Sequence, residues 1–166
     1  MDPVTVREDG VTQGLSIEGI HGDFREESRD QGGEIGGRLL LMLTTVTFDG
    51  DTAMMTVAIK PDKTADFEQI IAKVREALLK SDKPERKQQA AGWKLVKGPA
   101  MKDGNIIYIH MISPVVKGAD YTILPILYEA TTDPAEQRKL FEQYRDAFAG
   151  GLGNGTYNTV VDLSKP

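Results

Sequence analysis

The residue of this chain best suited to chemistry near neutral pH is a histidine within an apolar run. Residues 105–113 read as a β-strand, and His110 lies in its middle. Alternation places Ile106, Tyr108, His110 and Ile112 on one face and Ile107, Ile109 and Met111 on the other. His110 is therefore a candidate acid or base, or a packed histidine that is hydrogen-bonded to a neighbour.

Two aromatic residues are predicted to stand beside this histidine as ligand-binding residues. Trp93 begins the preceding strand-like run and Tyr108 shares the strand of His110, so both are expected to line one apolar cavity. Apolar pockets with a few polar groups suit small ligands. The alternative is plain packing in the core or in a dimer interface.

A polar loop after that strand supplies the remaining ligand-binding candidates. Lys117, Asp120 and Tyr121 follow the proline that ends the strand. Loops at strand ends often carry function, so Lys117 and Asp120 are expected to orient a ligand. The alternative for Asp120 is to cap the next helix.

The remaining sequence patterns argue against a metal site, a cofactor site and a phosphate-binding loop. The chain has no cysteine and two distant histidines, which predicts no metal site, and no cofactor motif stands out. The glycine-rich residues 150–155 follow a helix and lack the Lys-Ser/Thr of a phosphate loop, so we expect a flexible turn there.

Composition and charge limit the kinds of partner that the chain is expected to bind. The chain has 166 residues with a net charge of −5, and the excess acid lies in residues 1–38, whereas 39–166 are balanced. A balanced domain is a poor footprint for nucleic acid, so no nucleic-acid partner is predicted. No apolar stretch is long enough for a membrane span, and the compartment stays open between cytoplasmic and exported.

The chain is predicted to consist of a flexible, acidic, glycine-rich segment over residues 1–38 and a single domain over 39–166. Strands are expected at 39–48 and 52–60, joined as a hairpin by Asp49-Gly50-Asp51. Further strands are expected at 93–97, 105–113 and 156–163, and helices at 64–81, 84–91, 121–130 and from Asp133 to the glycines at 150.

From Thr52 onward this order is that of a ferredoxin-like β-α-β-β-α-β fold, an α+β class with helices on one face of an antiparallel sheet. The other face would be bare. We expect positions such as Met54, Thr56, Ala58, Trp93 and Leu95 to be too apolar for exposure. The sequence therefore predicts a homodimer with two sheets face to face.

Short segments carry a family resemblance. Residues 54–61, 65–67 and 92–97 resemble the dimeric α/β-barrel superfamily, which includes antibiotic-biosynthesis-type monooxygenases. Residues 113–122 and 141–144 resemble uncharacterised small bacterial proteins that are often exported. The first resemblance implies a homodimer with an apolar pocket between sheet and helices, where Trp93 and His110 parallel the polar groups that place a phenolic substrate.

Three functions follow as alternatives. The first is a homodimeric module that binds a small apolar ligand or acts in interactions. The second is a cofactor-independent, monooxygenase-like pocket enzyme with His110 as acid or base and Trp93 and Tyr108 as walls. The third is a structural or secreted accessory domain without ligand.

Overall fold

The computed structural model describes residues 44–165. Its strands are β1 (Thr52–Ile59), β2 (Trp93–Ala100), β3 (Ile106–Ile112) and β4 (Phe148–Tyr157). Its helices are α1 (Thr64–Lys80), which a short 3-10 turn over Pro61–Lys63 precedes, α2 (Pro84–Gly92), α3 (Ile123–Ala130) and α4 (Pro134–Ala147).

The sheet has the order β2-β3-β1-β4, and each neighbouring pair is antiparallel. Strands β1 and β2, joined through α1 and α2, are thus parallel with β3 between them. This split β-α-β connection is compatible with a ferredoxin-like fold. The predicted α+β class with an antiparallel sheet is confirmed, and so are the predicted helices between the strands.

The helices form where apolar periodicity and capping predict them. In α1 the buried residues recur at helical spacing and are Phe67, Ile70, Val74, Ala77 and Leu78. At the start of α4 the Asp133 side chain accepts a hydrogen bond from the Ala135 amide, and Pro134 occupies the first turn. These stripes place α1 and α4 against one face of the sheet.

The expected first hairpin is wrong in the described residues. Residues 44–48 form no strand and run beside the loop before α3, where the Tyr121 amide donates to the Val46 carbonyl at 2.8 Å. Gly50 lies against the end of β4, and a Cβ there would approach the Tyr157 carbonyl to 2.7 Å. Asp49-Gly50-Asp51 therefore does not form a hairpin turn; the chain there passes close to the end of β4. Residues 39–43 lie outside the described part of the chain, as does the predicted segment 1–38.

The last strand also differs from expectation. It spans Phe148–Tyr157, so the glycine-rich residues 150–155 belong to a strand, and the expected strand at 156–163 is wrong. Pairing with β1 supplies the backbone partners, with register shifts after Thr56 and Ala58 of β1. Tertiary pairing overrides the weak β-propensity of glycine here.

The register assigns each strand residue to one of two faces. The covered face, against α1 and α4, carries Ala53, Met55, Val57, Ile59, Trp93, Leu95, Tyr108, His110 and Ile112. The open face carries Met54, Thr56, Ala58, Lys94, Val96, Ile107, Ile109 and Met111. Trp93 and Leu95 were expected to lie with Met54, and this is wrong because Trp93 pairs with Ile112 on the covered face.

Within residues 44–165, no helix combines the length and apolar character needed to cross a membrane.

Candidate functional site

A cavity of about 470 Å³ lies on the covered face, between β1 and β4 on one side and the loop before α3 on the other. Its walls include Met55, Val57, His110, Tyr121, Thr122, Ile123, Tyr144, Phe148, Gly151 and Asn154, together with residues 44–47. None of the described lining residues is an aspartate, glutamate, lysine or arginine. The cavity therefore suits a neutral, largely apolar molecule, because a charged one would lose its hydration without an opposite charge.

The empty space has a simple cause in β4. Gly151 pairs with Val57 and so lies on the cavity side of β4, at an exposed position without a side chain. A Cβ built on Gly151 would have only the tip of the Phe148 ring nearby, at 4.0 Å. A glycine at this position of an edge strand leaves a gap that neighbouring side chains do not fill.

His110 forms part of the cavity wall and is 1% exposed. Its Nδ1 accepts a hydrogen bond from the Trp93 indole Nε1–H at 3.1 Å. The Phe67 ring meets it edge-on at 6.1 Å between centroids. Burial lowers the pKa of His110 from its ordinary 6.5 to about 4, so the ring is neutral at physiological pH.

The second ring nitrogen of His110, Nε2, has no hydrogen-bond partner among the described residues. No fully buried side-chain nitrogen or oxygen of the described residues lacks a partner, so Nε2 is not fully buried. Because His110 lines the cavity, we assign the space beside Nε2 to that cavity. Because Nδ1 accepts from Trp93, the proton of the neutral ring resides on Nε2.

Tyr144 of α4 is a further buried residue of the cavity wall that carries a polar group. Its ring stacks on Phe67 at 6.3 Å and tilts against Phe148 at 5.9 Å. Burial raises the pKa of Tyr144, so its phenol stays protonated. By the argument used for His110, its hydroxyl also contacts the cavity. The sequence pattern placed Tyr144 only in the buried stripe of α4. The hydroxyl of a tyrosine on an otherwise apolar stripe was the feature that could have indicated a cavity residue.

Tyr121 and Thr122 of the loop before α3 build the opposite wall together with residues 44–47. Asp120, a predicted ligand residue, lies outside the lining and ties these two segments together. The Val46 amide donates to Asp120 Oδ1 at 3.2 Å and to Thr122 Oγ1 at 3.0 Å. Asp120 Oδ1 also accepts from the Thr122 amide at 2.9 Å. Thr122 is the N-cap of α3 and makes no side-chain cap bond, so the helix-capping alternative for Asp120 is wrong.

A buried arginine stabilises this loop by hydrogen bonding. Arg86, 6% exposed, donates from Nη1 to the Asp120 carbonyl at 2.7 Å and from Nε to Glu129 at 3.1 Å. Gln89 donates to the same carbonyl at 2.9 Å. The Arg86 hydrogen bonds lower the pKa of Glu129. This network positions the loop without lining the cavity.

Trp93 and Tyr108 are among the predicted ligand residues that lie outside the cavity. Trp93 contacts two residues of the cavity wall: Tyr121, at 5.2 Å between ring centroids, and His110, to whose Nδ1 it donates. Tyr108 donates its hydroxyl to Glu68, which also accepts from Lys97 at 3.1 Å. Trp93 aligns with Ile112, four residues along β3 from Tyr108, which is about 13 Å in an extended strand. The two residues therefore share a face but no cavity.

The other two candidates of this loop differ in their position relative to the cavity. Tyr121 lines the cavity, and its hydroxyl accepts from the Val116 amide at 2.9 Å. Burial raises the pKa of Tyr121. Lys117 is exposed beside Gly118, whose φ of 78° marks a left-handed turn, and it is not part of the cavity wall. Across residues 44–165, no group of three metal-ligating side chains comes together.

Fold and cavity together define an α+β domain with a neutral pocket between its sheet and its helices. Comparisons with protein-family models, with curated proteins and with solved structures found no match for this chain.

Proposed function

We propose that this protein binds a small, neutral and largely apolar molecule in the cavity beside His110. The supporting observation is a cavity of about 470 Å³ whose described lining has no acidic or basic side chain, and where the buried His110 and Tyr144 lie among apolar residues, threonines and Asn154. Sites of this size, apolar with a few fixed polar groups, are typical of small-ligand pockets.

The second candidate is a monooxygenase-like pocket enzyme with His110 as acid or base, and the common cavity of His110 and Tyr144 favours it. Binding has the better support, because His110 is a weak base with a pKa of about 4 and its Nδ1 is already bonded to Trp93. Oxygen consumption with phenols or quinols tests the alternative: we expect none above the rate of the His110→Phe variant.

We further propose that the functional unit is a homodimer in which two open faces meet. Among the eight open-face residues that the register assigns in β1, β2 and β3, Lys94 alone is charged, and Met111 and Val96 are 41% and 39% exposed. A contiguous apolar patch on a sheet is typical of an interface. An identical face is its natural occupant, since a twofold axis that lies between the two sheets sets one apolar patch against the same patch of the second copy.

Ligand binding is tested by the melting temperature of the full chain with a panel of neutral aromatic compounds. A ligand at ten times its Kd adds about 1.4 kcal/mol to the free energy of unfolding, which gives a shift of several degrees. Gly151→Leu fills the cavity and should abolish the shift. Gly150→Leu, which adds the same side chain on the opposite face of β4, should keep it. A flat panel for the unmodified chain would contradict ligand binding.

The dimer is tested by sedimentation of Met111→Glu beside a matched control. Leu79 on α1 is 48% exposed and lies away from the open face, so Leu79→Glu adds the same charge at a comparable apolar site. The unmodified chain and Leu79→Glu should sediment at twice the chain mass, and Met111→Glu at the chain mass. A monomeric unmodified chain at micromolar concentration would refute the interface.

A further inference from the structure

We infer that Trp93 makes the cavity selective for ligands carrying a hydrogen-bond acceptor, such as a carbonyl oxygen, by holding the proton of His110 on Nε2. The inference rests on the proposed function and names the ligand class for the same cavity.

The geometry around the imidazole carries the first step. Indole Nε1–H is a donor only, and it lies 3.1 Å from His110 Nδ1. Nδ1 must then present its lone pair to Trp93. A neutral imidazole has one proton, so that proton resides on Nε2. The ring enters the cavity as a donor.

The orientation of Trp93 is itself held by its neighbours, so the donor does not rotate away. The indole packs edge-on against Tyr121 at 5.2 Å and tilts against His110 at 5.7 Å between centroids. Trp93 pairs with Ile112 at the beginning of β2, and Ser113 donates its amide to the Gly92 carbonyl at 2.8 Å. Backbone and rings together fix the Nε1–H direction.

The second step concerns what a ligand must bring. Nε2–H faces a cavity whose described lining has no acidic or basic side chain, and no described residue accepts from it. The Tyr144 hydroxyl in the same wall can also donate, although unlike Nε2–H it can accept as well. A ligand with a carbonyl satisfies these donors, whereas one that offers only N–H meets Nε2–H with a second donor. An unpaired buried donor weakens binding, which is the source of discrimination.

Three diphenyl compounds of similar shape test the preference: benzophenone offers an acceptor, diphenylamine a donor, and diphenylmethane neither. For the full chain, we expect benzophenone to bind about tenfold more tightly than either of the others, the effect of one buried hydrogen bond. Trp93→Phe frees both tautomers of His110, so the preference over diphenylamine should fall to about twofold or less. His110→Phe should reduce the preference over diphenylmethane severalfold and retain binding, which keeps the test valid if Trp93→Phe fails to fold.

A spectroscopic measurement tests the tautomer without any ligand. In the full chain labelled with ¹⁵N-histidine, we expect the His110 shifts of a neutral ring protonated at Nε2, and a mixture of tautomers in Trp93→Phe. His110→Phe assigns which of the two histidine signals belongs to His110. A ring protonated at Nδ1, or binding without preference, would overturn this inference and leave the proposed function intact. Failure of all three compounds to bind would overturn the proposed function, and with it this inference.

Discussion

The two halves of the covered face contain similar aromatic residues but differ in how they are filled. In the filled half, around β2 and β3, Phe67 packs on Tyr108 at 5.0 Å, and the Tyr108 hydroxyl reaches Glu68 at the surface. In the empty half, around β1 and β4, Phe148 and Tyr144 border a cavity that Gly151 leaves open. The comparison teaches that similar aromatic residues pack tightly in one half and border open space in the other, where Gly151 of the edge strand contributes no side chain.

The largest expected effect is on the free energy of unfolding, when a phenylalanine of each half is replaced by alanine. Phe67→Ala removes a ring that is fully buried, and should lower the free energy of unfolding by about 3–5 kcal/mol. Phe148→Ala should cost at least about 1 kcal/mol less, because that ring already borders empty space and has fewer contacts to lose. Urea unfolding of both variants measures the difference. Equal costs would mean that the empty half is as well packed as the filled one.

The next effect in size is the pH dependence of His110. Its folded pKa of about 4 lies below the ordinary 6.5, so between these values the unfolded chain takes up a proton that folded His110 does not. The free energy of unfolding should therefore fall by about 3 kcal/mol as the pH drops from 6.5 to 4. Above pH 6.5 the contribution of His110 should no longer change with pH. Urea unfolding across this range measures it, and His110→Phe should lack the decline. Parallel profiles for the two proteins would place His110 in a solvated setting.

The smallest effect compares the two tyrosine hydroxyls. Tyr108→Phe loses the bond to Glu68 and should cost about 1 kcal/mol of folding stability, with ligand binding unchanged. Tyr144→Phe removes a hydroxyl that contacts the cavity, so stability should hold while the affinity for benzophenone falls severalfold. Paired melting and titration experiments measure both quantities. The reverse pattern would assign the ligand to the filled half.

Much of the filled half was predictable from the sequence. Phe67, Ile70 and Val74 recur at helical spacing, and alternation in β3 assigned Tyr108 and His110 to one face, as the register shows. Such patterns work because each buried side chain is present in the sequence as an apolar residue.

The empty half was not predictable in the same way. A cavity arises from the absence of a side chain, and Gly151 discloses its role only once its pairing with Val57 is known. Glycines at residues 150–155 also resemble a turn, since glycine is rare in strands. Trp93 was expected on the open face and in one cavity with Tyr108, whereas it lies on the covered face and bonds to His110 Nδ1, because the β2–β3 register decides which residues meet there.

The account depends most on where a ligand binds, and adjacent methionines report this directly. Met55 lines the cavity, whereas Met54 and Met111 pair with each other on the open face. In the full chain with ¹³C-methyl methionine, benzophenone should shift the Met55 signal and leave those of Met54 and Met111 in place. A shift at Met54 and Met111 with Met55 unchanged would show that the compound adheres to the open face, and would contradict the cavity as the binding site.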